Sequence, residues 1–201
     1  MSSLVPPVIF VTVGTTSFDA LASRVLSDEF LSMAWDRGFG GVILQYGNSS
    51  VRKQLEKLML RMDDLSLIGD EVKGRYRIDS GRLRIMKTID VFAFRFAASL
   101  STHYSEASLV ISHAGSGSIM EAMASAKDLI VVVNEALMDN HQRELAEELV
   151  KENLLFICGA DGLVDQIKGH QINGGMLARW GKSSNSEDPI LRVLDEEAGF
   201  W

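Results

Sequence analysis

Residues 113–118, His-Ala-Gly-Ser-Gly-Ser, with Glu121 three residues further on, carry the group types that hold a phosphate ester. They follow the apolar Leu109, Val110 and Ile111 and precede a helical-looking segment expected from Ser118 to Ala126, so they occupy a strand-to-helix turn. At such a turn the first backbone N–H groups of the helix lack an intrahelical acceptor, and the helix dipole adds partial positive charge. Gly115 and Gly117 let that backbone come close to a ligand, and Ser116 and Ser118 add hydroxyl donors. The pattern belongs to neither common phosphate motif. Met120 stands where the dinucleotide fingerprint needs its third glycine, and no Gly-Lys-Ser/Thr occurs.

Several of these residues have a second reading. Ser118 and Glu121 have the spacing of a capping box, which ties off a helix start; alternatively, the Glu121 carboxylate accepts hydrogen bonds from a ribose diol. His113, directly after a strand, is either a packing histidine or a donor to a phosphate or leaving group. Asp139 and Gln142 are spaced as another cap, while Asn140, His141 and Gln142 could present polar groups to a sugar. No two histidines have zinc-site spacing, and no Asp-x-Asp is present to anchor a metal against a nucleotide diphosphate. No metal and no cofactor are expected.

The surrounding pattern must position these groups. Apolar runs at residues 8–13, 42–46, 109–111, 129–133 and 154–158 read as buried strands. Helical spacing predicts helices over residues 18–33, near 51–59, near 96–103 and over 139–151. A weak strand pattern covers residues 83–86, and the polar, glycine-interrupted stretch 63–82 reads as an insertion or long excursion. Strands alternating with helices indicate an α/β fold, a Rossmann-like, mostly parallel sheet with helices on both faces. Ligands of such sheets collect at the carboxyl ends of the strands. Gly14-Thr15-Thr16, residues 113–118 and residues 134–140 should therefore converge. The main domain spans residues 1–170, with its insertion at about 60–95; residues 171–201 form a linker and C-terminal segment.

The chain has 201 residues and a formal net charge of −7, which disfavours nucleic-acid binding through a general basic surface. Lys73, Arg75, Arg77, Arg82, Arg84 and Lys87 nevertheless cluster, either as the wet face of a hairpin or as a contact for phosphate or an anionic membrane. Cys158 is the single cysteine, so no internal disulfide forms, and it reads as a buried small hydrophobe. No run approaches the ~18 apolar residues of a membrane span. The N-terminus lacks the basic region of a signal peptide, so a cytosolic location is expected.

Three stretches, FVTVGTTSFDALASRVLSDEF, VISHAGSGSIMEAM and IVVVNEALMDNHQRELAEEL, carry a resemblance. Together they resemble the donor-binding half of GT-B glycosyltransferases of the family 28 C-terminal-domain type. Within that group they are most similar to the small eukaryotic subunits of the dolichyl-diphosphate-linked N-acetylglucosaminyltransferase. The resemblance covers residues 8–47 and 105–158 and is weak over 60–95. It implies UDP-GlcNAc as donor and dolichyl-diphosphate-GlcNAc as acceptor, with inversion and no metal. Under it, Gly14 and Thr15 lie near the diphosphate, which Ser116, Gly117 and Ser118 hold. Glu121 takes the ribose hydroxyls, and His141 with Gln142 takes the GlcNAc hydroxyls. It assigns no catalytic base; a partner subunit, His113 and His141 are the candidate sources.

A GT-B enzyme reacts in the cleft between two domains of roughly 150 residues each, and this chain has room for one. The resemblance therefore implies a membrane-anchored partner subunit that binds the acceptor on the cytosolic face of the endoplasmic reticulum. Residues 189–201, apolar and linker-tethered, are the expected docking element, against a tail that packs on its own domain. Two rivals are a non-catalytic nucleotide-sugar-binding module and a dinucleotide oxidoreductase. The missing glycine, and Asn134 in place of an acid after the next strand, argue against the oxidoreductase.

Overall fold

A computed structural model describes residues 6–78, 87–125, 127–134 and 155–169. Along the chain run β1 (Val8–Thr12), α1 (Asp19–Val25), α2 (Asp28–Asp36), β2 (Gly41–Gln45), α3 (Arg52–Met59), β3 (Met62–Ile68) and β4 (Glu71–Ile78). They are followed by β5 (Lys87–Phe94), α4 (Ser101–Glu106), β6 (Leu109–His113), α5 (Ser116–Ala124), β7 (Asp128–Val133), β8 (Phe156–Gly159) and α6 (Leu163–Gly169). The described strands form one sheet in the order β3-β4-β5-β2-β1-β6-β7-β8. From β5 to β8 every neighbouring pair is parallel, while β3 and β4 are antiparallel additions at the β5 edge. Counting the parallel strands alone in chain order gives 3-2-1-4-5-6, the doubly wound arrangement expected from the sequence.

The apolar runs are continuous because the central strands are covered on both faces. Successive residues are dealt to opposite sides. Ile9, Val11, Leu109, Ile111, Ile130 and Val132 pack with α1, α2, α3 and α6 on one face. Phe10, Val110, Leu129 and Val131 pack with α4 and α5 on the other.

Three expectations are corrected. The single helix over residues 18–33 is two helices. The Ser27 side chain accepts from the Phe30 N–H to cap α2 and donates to the Arg24 carbonyl at the end of α1, so the chain turns between them. The polar excursion is a hairpin built into the sheet. In β4, Val72, Gly74, Tyr76 and Ile78 face the core while Glu71, Lys73, Arg75 and Arg77 face outward, a period-2 alternation that charges and glycines conceal. Tyr76 is fully buried, and its hydroxyl donates to the Asp28 carboxylate of α2, which also takes Arg61. Finally, α5 begins at Ser116 rather than Ser118.

Of the basic cluster, Lys73, Arg75 and Arg77 are on the wet face of this hairpin, while Lys87 is half-buried on β5. Arg75 pairs with Asp90 and Arg77 with Asp63, and Lys87 pairs with Asp36 while lying over the Trp35 ring. Arg82, Arg84 and the strand expected over residues 83–86 lie outside the described residues, as do the helix over 139–151 and the segment 171–201. No helix among the described residues is long and apolar enough to cross a membrane.

Candidate functional site

The strand order reverses between β1 and β6, which lie side by side but send their connections to opposite faces. A crevice must open there, above the carboxyl ends of both strands. The observed cleft has a volume of about 470 Å³. It brings together Gly14, Thr15, His113, Gly115, Ser116, Gly117, Ser118 and Glu121, eight of the residues singled out in the sequence. Asn140, His141 and Gln142 lie outside the described residues.

The floor of the cleft is the first turn of α5. Gly115 is its N-cap, with no side-chain cap, and the first amide bonded within the helix is Ile119 N–H to the Gly115 carbonyl. Among the described residues, the Ser116, Gly117 and Ser118 amides have no hydrogen-bond acceptor, so three donors face the opening. A Cβ added at Gly117 would meet nothing within 4 Å. This start also removes the capping-box reading of Ser118 and Glu121. Glu121 lies well inside α5, too far along to cap it, and is exposed on the cleft wall.

His113 ends β6 with its ring wedged between the two glycine-bearing loops. A Cβ at Gly14 would come within 2.6 Å of the ring Cε1, and one at Gly115 within 2.3 Å of Nε2. Gly14 adopts φ +64, a conformation that L side chains rarely take. Burial pushes the His113 pKa down, with a hydrogen bond to the Thr12 backbone opposing it, so the ring is neutral at neutral pH. A neutral imidazole offers one N–H and one lone pair. His113 thus serves packing and cleft lining together.

The loop after β1 is laced to the one after β2. Val13 N–H donates to the Gln45 carbonyl, Asn48 Nδ2 to the Thr15 carbonyl at 2.8 Å, and Asn48 N–H to the Thr16 carbonyl. Gly47 makes this approach possible: a Cβ there would sit 2.6 Å from the Gly14 carbonyl oxygen. Sequence reasoning missed Gln45, Phe96, Ala97 and Leu100, which complete the lining. Gln45 was visible as the polar member of an apolar strand. Phe96 is half exposed under the Arg95 guanidinium.

A second hollow of about 600 Å³ adjoins the first. Ala97, Leu100 and Glu121 belong to both, and Tyr104 with Ser125 lines its far side. Together they line one stretch of surface with the α5 amides at one end, the Glu121 carboxylate shared between the hollows, and alanines, Leu100 and serines beyond. Cys158 is partly buried, and burial raises its thiol to about 11, which suits packing rather than nucleophilic attack. No cluster among the described residues could hold a metal ion.

The family model of the glycosyltransferase family 28 C-terminal domain matches residues 8–173. The chain belongs to this family. Family 28 relatives include the UDP-N-acetylglucosamine transferase subunit ALG13 of Mus musculus, 40% identical over 149 residues. That match takes in 74% of this chain and 10% of the mouse protein, so the chain spans about a tenth of that relative's length. The ALG13 subunit of Cryptococcus neoformans is 34% identical over 168 residues, covering 81% of this chain and 82% of its own. The NMR solution structure of ALG13 superposes with a TM-score of 0.63 at 27% identity, covering 94% of each chain. Its agreement supports a single Rossmann-like half of the GT-B type.

Proposed function

We propose that this chain binds UDP-N-acetylglucosamine and forms the donor half of an inverting N-acetylglucosaminyltransferase, with dolichyl-diphosphate-linked GlcNAc as acceptor. The observation that carries the reading is the set of acceptor-free amides at Ser116, Gly117 and Ser118, facing a cleft at the sheet's switch point with Glu121 beside them. A diphosphate on those amides gains the helix dipole and charge-assisted hydrogen bonds. The ribose then falls beside Glu121, whose carboxylate accepts from both hydroxyls, and the base extends into the adjoining hollow along Ala97 and Leu100. Asn140, His141 and Gln142 are the candidates for the GlcNAc hydroxyls.

When the glycosidic bond breaks, negative charge grows on the departing UDP. The same amides meet it without reorganising, which lowers the barrier. His113, in contact with both glycine loops, lines the cleft beside those amides. The acceptor enters from the side opposite the diphosphate, held by a membrane-anchored subunit on the cytosolic face of the endoplasmic reticulum. The relatives are named as transferase subunits, which supports a partner of this kind.

The test is transfer of labelled GlcNAc from UDP-GlcNAc to dolichyl-diphosphate-GlcNAc by the full chain, alone and as the complex purified from membranes. Transfer by the complex alone is expected. UDP-GlcNAc binding with no transfer in either preparation would reduce the chain to a nucleotide-sugar-binding module.

A further inference from the structure

Gln45 is 3% exposed at the end of β2, and its side-chain amide reaches three elements at once. Its Nε2 donates to the Gly14 carbonyl at 2.7 Å and to the Arg95 carbonyl at 2.9 Å, while its Oε1 accepts from Thr12 Oγ1 at 2.6 Å. Thr12 Oγ1 in turn accepts from the Gly14 N–H at 3.1 Å. The orientation of this amide is fixed by its partners. Flipped, it would set Oε1 against two carbonyl oxygens and leave Nε2 beside a hydroxyl already engaged by an N–H. Both amide donors and its acceptor are used, as burial requires.

What the amide holds matters more than its own contact with the cleft. Gly14 and Gly115 both lie against the Cε1–Nε2 edge of the His113 ring. Arg95 leads directly into Phe96, Ala97 and Leu100, which wall the opposite side. Thr12 and Gln45 thus join the loop after β1 to the segment after β5 across the intervening strand. Backbone bonds run a little beyond these residues, Val13 N–H to the Gln45 carbonyl, Tyr46 N–H to the Phe94 carbonyl and Gly47 N–H to the Arg95 carbonyl, and the Gln45 amide adds a direct link between the Gly14 and Arg95 carbonyls.

We propose that Gln45, with Thr12, is a positioning residue that sets the width of the donor cleft by fixing the Gly14 loop against the segment after Arg95. This rests on the reading of the cleft as a nucleotide site, and it adds a residue pair to that site. Donor affinity then depends on an amide that makes its decisive bonds to backbone.

The experiment measures UDP binding by calorimetry and Gly14 amide exchange by NMR on the full chain and three variants. Gln45→Met keeps the volume and removes every polar bond. Thr12→Val removes one hydroxyl from an isosteric side chain and serves where Gln45→Met does not fold. Gln45→Glu replaces the donor group with an oxygen facing two carbonyls, which only the protonated acid can satisfy at one of them. Ten-fold or greater loss of UDP affinity is expected for Gln45→Met, with faster exchange at Gly14 in both it and Thr12→Val. Gln45→Glu should regain UDP affinity as pH falls from 8 to 6, a trend absent from the wild type. Variants that bind UDP within two-fold of wild type, with Gly14 exchange unchanged, would overturn the positioning role alone. A wild-type chain that does not bind UDP would instead contradict the nucleotide reading, with Gly14 exchange still reporting on the clamp.

Discussion

Two substitutions at the start of α5 separate ligand contact from packing. Gly117 has open space above it, and alanine is the better helix former by up to ~1 kcal/mol. Gly117→Ala should therefore leave the free protein as stable or slightly more so in urea denaturation, yet weaken UDP binding by calorimetry, because its methyl occupies the ligand's approach. Gly115→Ala should lower both, since its Cβ meets the His113 ring. Glu121→Ala should weaken UDP binding by ~1–3 kcal/mol as the ribose loses charge-assisted bonds. The unfolding midpoint should hold, because Glu121 caps nothing. A falling midpoint with unchanged UDP affinity would remove the ribose assignment. At this scale the sequence exposed residue types well but not their bonding. Ser118 and Glu121 fitted a cap by spacing, and only the helix start at Ser116 excludes it. Gln45 closed an apolar run, and nothing local to it reveals that its partners come from Thr12, Gly14 and Arg95.

Elements were legible where burial is two-sided. The runs that became β1, β2, β6 and β7 are uniformly apolar because helices cover both faces, and their order in the chain gave the doubly wound sheet. The hairpin of β3 and β4 was not legible. It lies at the sheet edge, its outer face is charged, and Gly74 is needed where the β3 backbone bulges against it, 3.1 Å from the Asp63 carbonyl oxygen for an added Cβ. The break between α1 and α2 was missed because apolar residues continue at helical spacing across it. Ser27 makes the break, and its loss has a predictable cost: Ser27→Ala should destabilise the protein by about 1 kcal/mol in urea denaturation, through loss of the bond to the Phe30 N–H. UDP affinity should stay the same, since α2 does not line the cleft.

At the scale of the whole molecule, two histidines among the described residues couple stability to pH. His113 sits between the glycine loops, and His103 packs among Phe10, Phe92 and Phe94. Burial lowers both pKa values, opposed at His103 by Glu106 and at His113 by the Thr12 backbone. Unfolded histidine takes up its proton near pH ~6.5. Below that pH the unfolded chain binds protons that the folded chain resists, so stability is full above it and falls on acidification. Urea midpoints should drop between pH 7.5 and 5.5, and His103→Phe should flatten that slope; a midpoint that rises on acidification would contradict the assignment. The most direct test of the account as a whole is a crystal structure with UDP bound. The diphosphate should lie within hydrogen-bonding distance of the Ser116, Gly117 and Ser118 amides, with the ribose hydroxyls on Glu121. Nucleotide density elsewhere on the molecule, leaving that turn of α5 empty, would contradict it.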